Sequence, residues 1–409
     1  MKKFIPIFIF QIYHYLLALI GAVIYGFPSK KLVVVGITGT NGKSTVVHLI
    51  TEILESTFRQ TQGKIASLSS IRFKIGDKEE KNMLKMTMPG RFKLQKFLRK
   101  AVNAGCKYMV LEVTSEGIKQ FRHKFIDFDG AVFTNLTKEH IEAHKGFENY
   151  KKAKGKLFQA LEKSPKTNKF AVLNSDDQNF GYFGDLFSGK KYFYGMRNQK
   201  AEITPEKIGL KLDNLLGEFN LCNALAAYCA GIALGIEKNK VLEILKIAKG
   251  ISGRLELVVN EPFKVFVDYA HTPDGLENVY KTLGKNLICV LGSTGGGRDK
   301  WKRPEMGKIA ADYWKEIILT NEDPYNENPE QILSDIRSGI QNSKFEIQNL
   351  HEIIDRREAI NKASLSAKIG DTIIITGKGC EPWMCVEDGK KIPWDDREIA
   401  KEEFKKLHI

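Results

Sequence analysis

Between Gly39 and Thr45 the chain reads Gly-Thr-Asn-Gly-Lys-Ser-Thr, a run whose residue types are those of a phosphate cradle. Glycines let a backbone turn its N–H groups inward onto phosphate oxygens. A helix opening just behind them points the positive end of its dipole at the same anion. Lys43 is placed to reach the β- and γ-phosphates of ATP, and the hydroxyl of Ser44 or Thr45 to ligate Mg2+, with Gly39, Thr40, Asn41 and Gly42 as the cradle itself. The apolar run Leu32–Val35 predicts a strand before the loop, and the pattern after Lys43 predicts a helix. One departure stands at Ile37, five residues before Gly42, where the general spacing has Gly or Ala. The competing reading is a strand-to-helix turn that merely happens to be rich in glycine.

The elements that must position this loop follow in order. The strand Lys-Tyr-Met-Val-Leu-Glu-Val delivers Glu112 to its C-terminal end, where open α/β sheets collect ligands, and an acid beside a phosphate loop suits Mg2+. A capping or surface role for Glu112 is the alternative. A further strand, Gly-Ala-Val-Phe-Thr-Asn-Leu, leads to His140 and His144. Two histidines four apart could bind a metal, but that spacing alone is a weak signal. The stretch Tyr150–Leu161 looks like a solvated basic helix, and nothing in its composition singles out Lys154. A buried helix opens with the polar Asn220 and Asn223.

Near Gly250-Ile-Ser-Gly-Arg254 the pattern breaks and strand–helix alternation begins afresh. The polar strand ends of this second part are Asp268, His271, Arg298, Lys300, Glu322, Asp323, Lys378 and Glu381. They are expected to face a cleft shared with the nucleotide loop. The loop Gly-Ser-Thr-Gly-Gly-Gly-Arg-Asp-Lys lacks the G-x-G-x-x-G spacing, which excludes a dinucleotide site. The reading is therefore an α/β chain: an apolar N-terminal helical segment over 1–31, a P-loop ATPase central domain over 32–250, and a Rossmann-like C-terminal domain over 251–409.

The 409 residues suffice for two or three such domains, and the net charge of +14 calls for anionic company. No aromatic-plus-basic RNA motif or Cys/His finger is present, so no nucleic acid is expected. The six cysteines have neither a paired framework nor zinc spacing, as in reduced cytoplasmic proteins. Residues 4–27 are uncharged, with Lys2 and Lys3 before and Lys30 and Lys31 after. Their length reaches that of a membrane span, but Pro6, Gln11 and His14 interrupt it. Three readings stay open: a helix lying in the membrane interface, a span, or a helix packed on the protein itself.

Taken together, the stretches GTNGKST, EVTSEG with the later Arg122, FTNLTKEHIEAH, YKKAKGKLF, VLNSDD, GEFNLCNALAA, SGRLE, DYAHTPDGLENV, GGGRDKWKRPEMG, NEDPYNENP and GKGCE resemble the Mur ligase family. The likeness is greatest to its MurE branch, which adds the third amino acid of the peptidoglycan stem peptide. The resemblance covers roughly residues 33–409. It implies an ATP-dependent ligase, acting as a monomer, in which an acceptor carboxylate attacks the γ-phosphate and an amino group then displaces phosphate from the acyl-phosphate. It assigns Lys43 and Ser44 to phosphates and a first Mg2+ with Glu112, and His140 and Lys154 to a second Mg2+, Lys154 being carbamylated. Asn220 and Asn223 fall near adenine, while Arg254, Asp268, His271 and Lys300 complete the nucleotide site. Thr87, Ser115 and Arg122 match positions for the muramyl-peptide precursor, and Arg298, Gly377 and Glu381 match those for the amino acid.

The chain also departs from the family pattern. An apolar segment stands where the uridine-binding N-terminal domain is expected, which brings a lipid-linked acceptor and peripheral membrane contact through 4–27 into view. Thr114 and Glu116 stand where Ser and His are usual. Diaminopimelate-adding members carry Asp-Asn-Pro-Arg, whose Arg grips the extra carboxylate; here Glu322, Asp323, Pro324 and Tyr325 occupy those places. With Glu322, Asp323 and Glu381 expected to converge, a lysine-like amino acid is predicted over diaminopimelate. Folylpolyglutamate synthase shares the nucleotide site, but NEDP, GKGCE and SGRLE favour MurE. The branch working on lipid-linked precursor usually carries a four-cysteine zinc ribbon, which the scattered cysteines do not form. A membrane-anchored P-loop ATPase and a non-catalytic nucleotide-binding module are the readings from other classes.

Overall fold

The structure is a computed structural model and describes residues 7–58, 63–84, 86–341 and 349–406. The chain divides into two compact units, one of Met1–Lys138 with His144–Lys249, the other of Glu139–Ala143 with Gly250–Ile409.

The first unit is built on eight strands: β1 (Val33–Thr38), β2 (Lys64–Leu68), β3 (Arg72–Ile75), β4 (Lys78–Lys81), β5 (Cys106–Glu112), β6 (Gly130–Phe133), β7 (Phe170–Asn174) and β8 (Lys190–Tyr194). Their order is β4-β3-β2-β5-β1-β6-β7-β8. The six from β2 to β8 pair in parallel, and β3 and β4 form an antiparallel hairpin at one edge. Successive side chains of a strand point to opposite faces. Val35, Ile37, Val110, Val132 and Val172 therefore meet α2 (Lys43–Phe58) and the helix Glu218–Ala233. Val34, Met109, Leu111, Phe133 and Leu173 meet α3 (Arg91–Asn103) and the helix Phe147–Glu162 on the other side. Burial on both faces is why these strands read as unbroken apolar runs. Because β5 and β6 flank β1, chain order reverses at β1, the place where such sheets bind ligands.

Helix α1 (Ile7–Ile24) lies on α3, with Ala18 and Ala22 buried and Gly21 so close that a Cβ there would stand 3.6 Å from Phe92 Cα. Arg99 closes its C-terminal end, donating to Tyr25 O (2.7 Å) and Gly26 O (2.9 Å), carbonyls with no donor inside the helix. The Tyr15 ring meets Phe121 and Phe125 edge-on. Among the described residues no helix is long and apolar enough to cross a membrane. The described part of 4–27 is thus a helix packed on the protein, and a span is ruled against by the α3 face it occupies; residues 4–6 lie outside the described residues.

The second unit carries β9 (Glu256–Val259), β10 (Lys264–Val267), β11 (Leu287–Leu291), β12 (Trp314–Leu319), β13 (Leu350–Glu352) and β14 (Thr372–Ile375). Their order is β13-β12-β11-β14-β10-β9, parallel except for β9. The helices Lys302–Tyr313 and Pro329–Gln341 cross with backbones in contact: a Cβ on Gly339 would lie 1.9 Å from Pro304 O. Only glycine allows that approach. A fully buried Arg356 grips Asp396 with two bonds (2.8 and 2.7 Å) and also donates to Asn321 O and Thr376 O, so its charge is matched inside the core.

Candidate active site

The loop after β1 is held open from below. Thr40 N donates to Asn135 O and Asn41 N to Asn135 Oδ1, both at 2.8 Å, while Thr134 Oγ1 donates to Asn41 O at 2.7 Å. Gly39 and Gly42 take positive φ (152° and 82°). A Cβ on Gly39 would sit 1.9 Å from Thr134 Oγ1, and one on Gly42 would sit 2.2 Å from Asn223 Oδ1. Both glycines are required by close contact as well as by conformation. Lys43 and Ser44 open α2, so their backbone N–H groups lack helical acceptors and face the loop. Lys43 Nζ donates to Thr40 O at 2.8 Å and lies 4.0 Å from Glu112. Thr45 is buried in the same first turn.

Glu112, 2% exposed, takes Ser44 Oγ (2.8 Å) and Ser70 N (2.9 Å) on one carboxylate oxygen. A hydroxyl and a carboxylate thus meet at the phosphate loop. Among the described residues no three His, Cys, Asp or Glu side chains are grouped to hold a metal by themselves. Mg2+ fits this pair, since it keeps waters and takes one or two protein oxygens plus substrate phosphates. Lys154 is buried under the loop, donating to Gly39 O at 2.6 Å with its ammonium 4.4 Å above the Tyr150 ring. Of the His-x-x-x-His pair, His144 is taken up by protein partners. His144 Nε2 is engaged by Ser115 Oγ and Glu116 Oε1, both at 3.1 Å, and His140 belongs to the segment grouped with the second unit. Asn223 presses on Gly42, whereas Asn220 spends its amide on Leu216 O, a structural bond.

On the same unit Thr114 caps the turn Ser115–Lys119 through Gly117 N, the work a Ser would do there. Arg122 donates to Met88 O and, at 2.7 Å, to Gln120 Oε1. Arg91 donates from Nε to Gln120 O at 2.8 Å. Burial and the neighbouring Arg91 push the Arg122 guanidinium below its usual range, with Glu116 opposing. Two guanidiniums crowd one spot, an arrangement that an anion would relieve. Thr87 sits half-buried in the loop before α3.

In the second unit Asp268 accepts Leu255 N (2.6 Å) and Ala270 N (2.5 Å); burial raises its carboxyl while Arg254 opposes. Arg254 stacks 4.2 Å over Tyr269, and Tyr269 OH donates to Glu381. His271 holds Tyr269 O through Nδ1, and burial with Lys302 nearby pushes its imidazole down to about 3. Lys300 pairs with Glu327 at 2.8 Å. Glu322, Asp323 and Glu381 lie around one buried lysine, and two of the three acids are already paired by it. The buried Lys378 bonds Asp323 (2.9 Å) and Glu381 (2.7 Å), and Asp323 also takes Cys385 N, so both acids serve the fold. Glu322 differs: Thr294 reaches one oxygen at 2.5 Å, while the other is buried with no hydrogen-bond donor. Burial, then Asp323, raises its carboxyl. Gly377 allows this, since a Cβ there would stand 2.8 Å from that free oxygen. Tyr325, in a left-handed conformation (φ 52°), lies against Gly296, and Arg298 is exposed on the same loop.

Reading the sequence missed Asn135, Tyr150 and Lys302. Lys302 is buried, paired with Glu139 at 3.2 Å, and donates to His271 O. Its place at the head of a helix after a glycine-rich loop was the available signal.

Comparison with known proteins adds the following. The Mur ligase middle domain family matches residues 37–231, and the Mur ligase glutamate ligase domain family matches 253–379. A UDP-N-acetylmuramoyl-L-alanyl-D-glutamate–2,6-diaminopimelate ligase of Bacillus licheniformis is 38% identical, over 97% of this chain and 83% of that protein. A solved structure of a ligase of that name is 30% identical, with a TM-score of 0.58 over 92% of this chain and 79% of the other. Folylpolyglutamate synthase of Mycobacterium tuberculosis shares the fold at 16% identity and a TM-score of 0.64, over 88% of this chain and 92% of that one.

Proposed function

We propose, from the fact that the chain belongs to the Mur ligase family, that it joins an amino acid to the free carboxylate of a muramyl-dipeptide precursor of peptidoglycan. It is an ATP-dependent peptide ligase. The observation that carries the reading is the gathering of Lys43, Ser44, Glu112 and Lys154 on one glycine loop. The acceptor carboxylate attacks the γ-phosphorus, the bond to ADP breaks, and the amine then displaces phosphate to leave an amide. Two anions must approach, so positive charge and positioning matter more than a nucleophilic side chain.

Lys43 is placed to neutralise the transferring phosphoryl group, and Ser44 and Glu112 would hold Mg2+, which would supply the remaining positive charge. Lys154 is read as carbamylated, which would give a carboxylate toward a second Mg2+. Its buried position under the glycine loop, donating to Gly39 O, supports this reading. Arg122 and Ser115, with Thr87, hold the acceptor. In the first unit Asn223, against Gly42, is read as serving the nucleotide, and Arg254, Asp268, His271 and Lys300 are the second unit's candidates for it.

For the incoming amino acid we read a lysine-like side chain. Tyr325 offers no cation to a second carboxylate, and Glu322 keeps a buried oxygen that an ammonium group would satisfy. The relatives named as diaminopimelate ligases favour the other outcome. An amino-acid panel with UDP-muramyl dipeptide decides it: lysine should be preferred, and diaminopimelate as clear favourite overturns the assignment. The exposed apolar face of α1 favours a second reading, a lipid-linked acceptor. Comparing turnover of UDP-linked and lipid-linked forms tests it, and preference for the UDP form sinks it.

A further inference from the structure

Helix α1 has two unlike faces. Gly21, Ala18 and Ala22 turn toward α3, and His14 Nδ1 bonds the Arg91 guanidinium. On the opposite side Ile9, Ile12, Leu16, Ile20 and Val23 are between 44% and 57% exposed. At 3.6 residues per turn these five fall within an arc of about 80°, one continuous stripe. Of seventeen exposed large hydrophobic side chains among the described residues, eight lie on this helix. Single exposed apolar residues need no explanation, but a stripe of this length marks a contact surface.

The charges around it say what it contacts. The supporting helix α3 reads Arg-Phe-Lys-Leu-Gln-Lys-Phe-Leu-Arg-Lys-Ala-Val-Asn, with five basic residues and no acid. Lys93, Lys96 and Lys100 on it are exposed, as are Lys30 and Lys31 just beyond α1. Beside Phe125, which Tyr15 touches, the Lys124 ammonium is pushed below its usual range by burial and by Lys163 and Lys156. Of the acids in this part of the chain, Asp129 is engaged by Lys166 and Glu116 by His144, while Asp127 lies half-buried where its N–H meets Ser29 Oγ. An apolar stripe on a helix packed against one with five basic residues and no acid suits an interface of acyl chains and anionic headgroups. It does not suit a second copy of the chain, since face-to-face contact would bring two such sets of lysines together.

We infer that the exposed face of α1, with the lysines of α3 beside it, is a docking surface for an anionic lipid bilayer, the helix lying in the plane of the interface. Through its other face the same helix touches Arg91, which with Arg122 holds Gln120, so a docked α1 would stand between the bilayer and the acceptor residues. That last step rests on the functional reading above; the docking itself does not.

The test is sedimentation of the purified full chain with phosphatidylcholine vesicles, with and without phosphatidylglycerol, at low and high salt. The wild type should bind the phosphatidylglycerol vesicles about tenfold or more tightly than the neutral ones, and lose that margin in high salt. Leu16→Glu with Ile20→Glu, both at the surface and neither in the proposed site, should abolish binding and leave ATP-dependent turnover of a soluble acceptor unchanged. Lys93→Glu with Lys96→Glu and Lys100→Glu should lose the preference for anionic vesicles. Absence of vesicle binding by the wild type overturns the proposal. So does a wild type that self-associates and becomes monomeric in the Leu16/Ile20 variant, because the stripe would then be covered by another copy.

Discussion

Lys154 and Glu322 are buried groups whose chemistry depends on what reaches them. An ammonium 2.6 Å from Gly39 O and nearly free of water has no reason to be there for solubility. If it acts as a carbamate, Lys154→Ala should lower turnover on the order of 10²- to 10³-fold while ATP binding changes far less. A short carboxylic acid such as acetate should restore part of that turnover; loss of activity with no rescue at any concentration would leave the lysine a purely structural post. For Glu322 the sign follows from its raised pKa. The folded state holds the proton more tightly than the unfolded one, so this group's contribution to stability falls as pH rises from its ordinary 4.5 toward the folded value. Glu322→Gln should therefore stabilise the protein at neutral pH by about 1–3 kcal/mol. The same change should raise KM for the amino acid, as thermal melts and steady-state kinetics will show.

At the scale of elements, the glycine loop is fixed by neighbours rather than by its own sequence alone. Gly39→Ala drives a methyl into Thr134 Oγ1, so the loop must shift and release Thr40 N and Asn41 N from Asn135. Loss of ATP binding with a melting temperature lowered by only a few degrees is expected, since strain of about 1–3 kcal/mol is local. Unchanged nucleotide affinity in that variant would contradict the account of the loop. This strand–loop–helix was legible from periodicity and residue type, as were Glu112 and the restart of strands after Gly250, because local patterns carry those signals. Lys154 was not, since a buried lysine on a helix looks like a solvated one until the sheet covers it. The pairing of Asp323 and Glu381 by Lys378 was hidden as well: Lys378 and Asp323 are fifty-five residues apart in sequence, and no local pattern says that one ammonium serves both acids. The α1 segment showed its apolar length and its interruptions, but only the contacts of Ala18 and Ala22 with α3 tell a packed helix from a spanning one.

At the scale of the whole molecule, two histidines, one in each unit, contribute to acid sensitivity. Burial and nearby lysines push both His123 and His271 down from 6.5 to about 3. Between these values the unfolded chain binds protons that the folded chain refuses, so stability should fall as pH drops from 6.5 toward 3. Unfolding midpoints across that window measure the slope, and His123→Gln should flatten it. The measurement bearing most directly on the central claim is phosphate release with ATP, Mg2+, a muramyl-dipeptide acceptor and an amino acid, each omitted in turn. Release that needs both acceptor and amino acid, and is lost in Lys43→Ala, is the result the ligase account predicts. Release from ATP alone, indifferent to acceptor and amino acid, would contradict it and leave an ATPase of another kind.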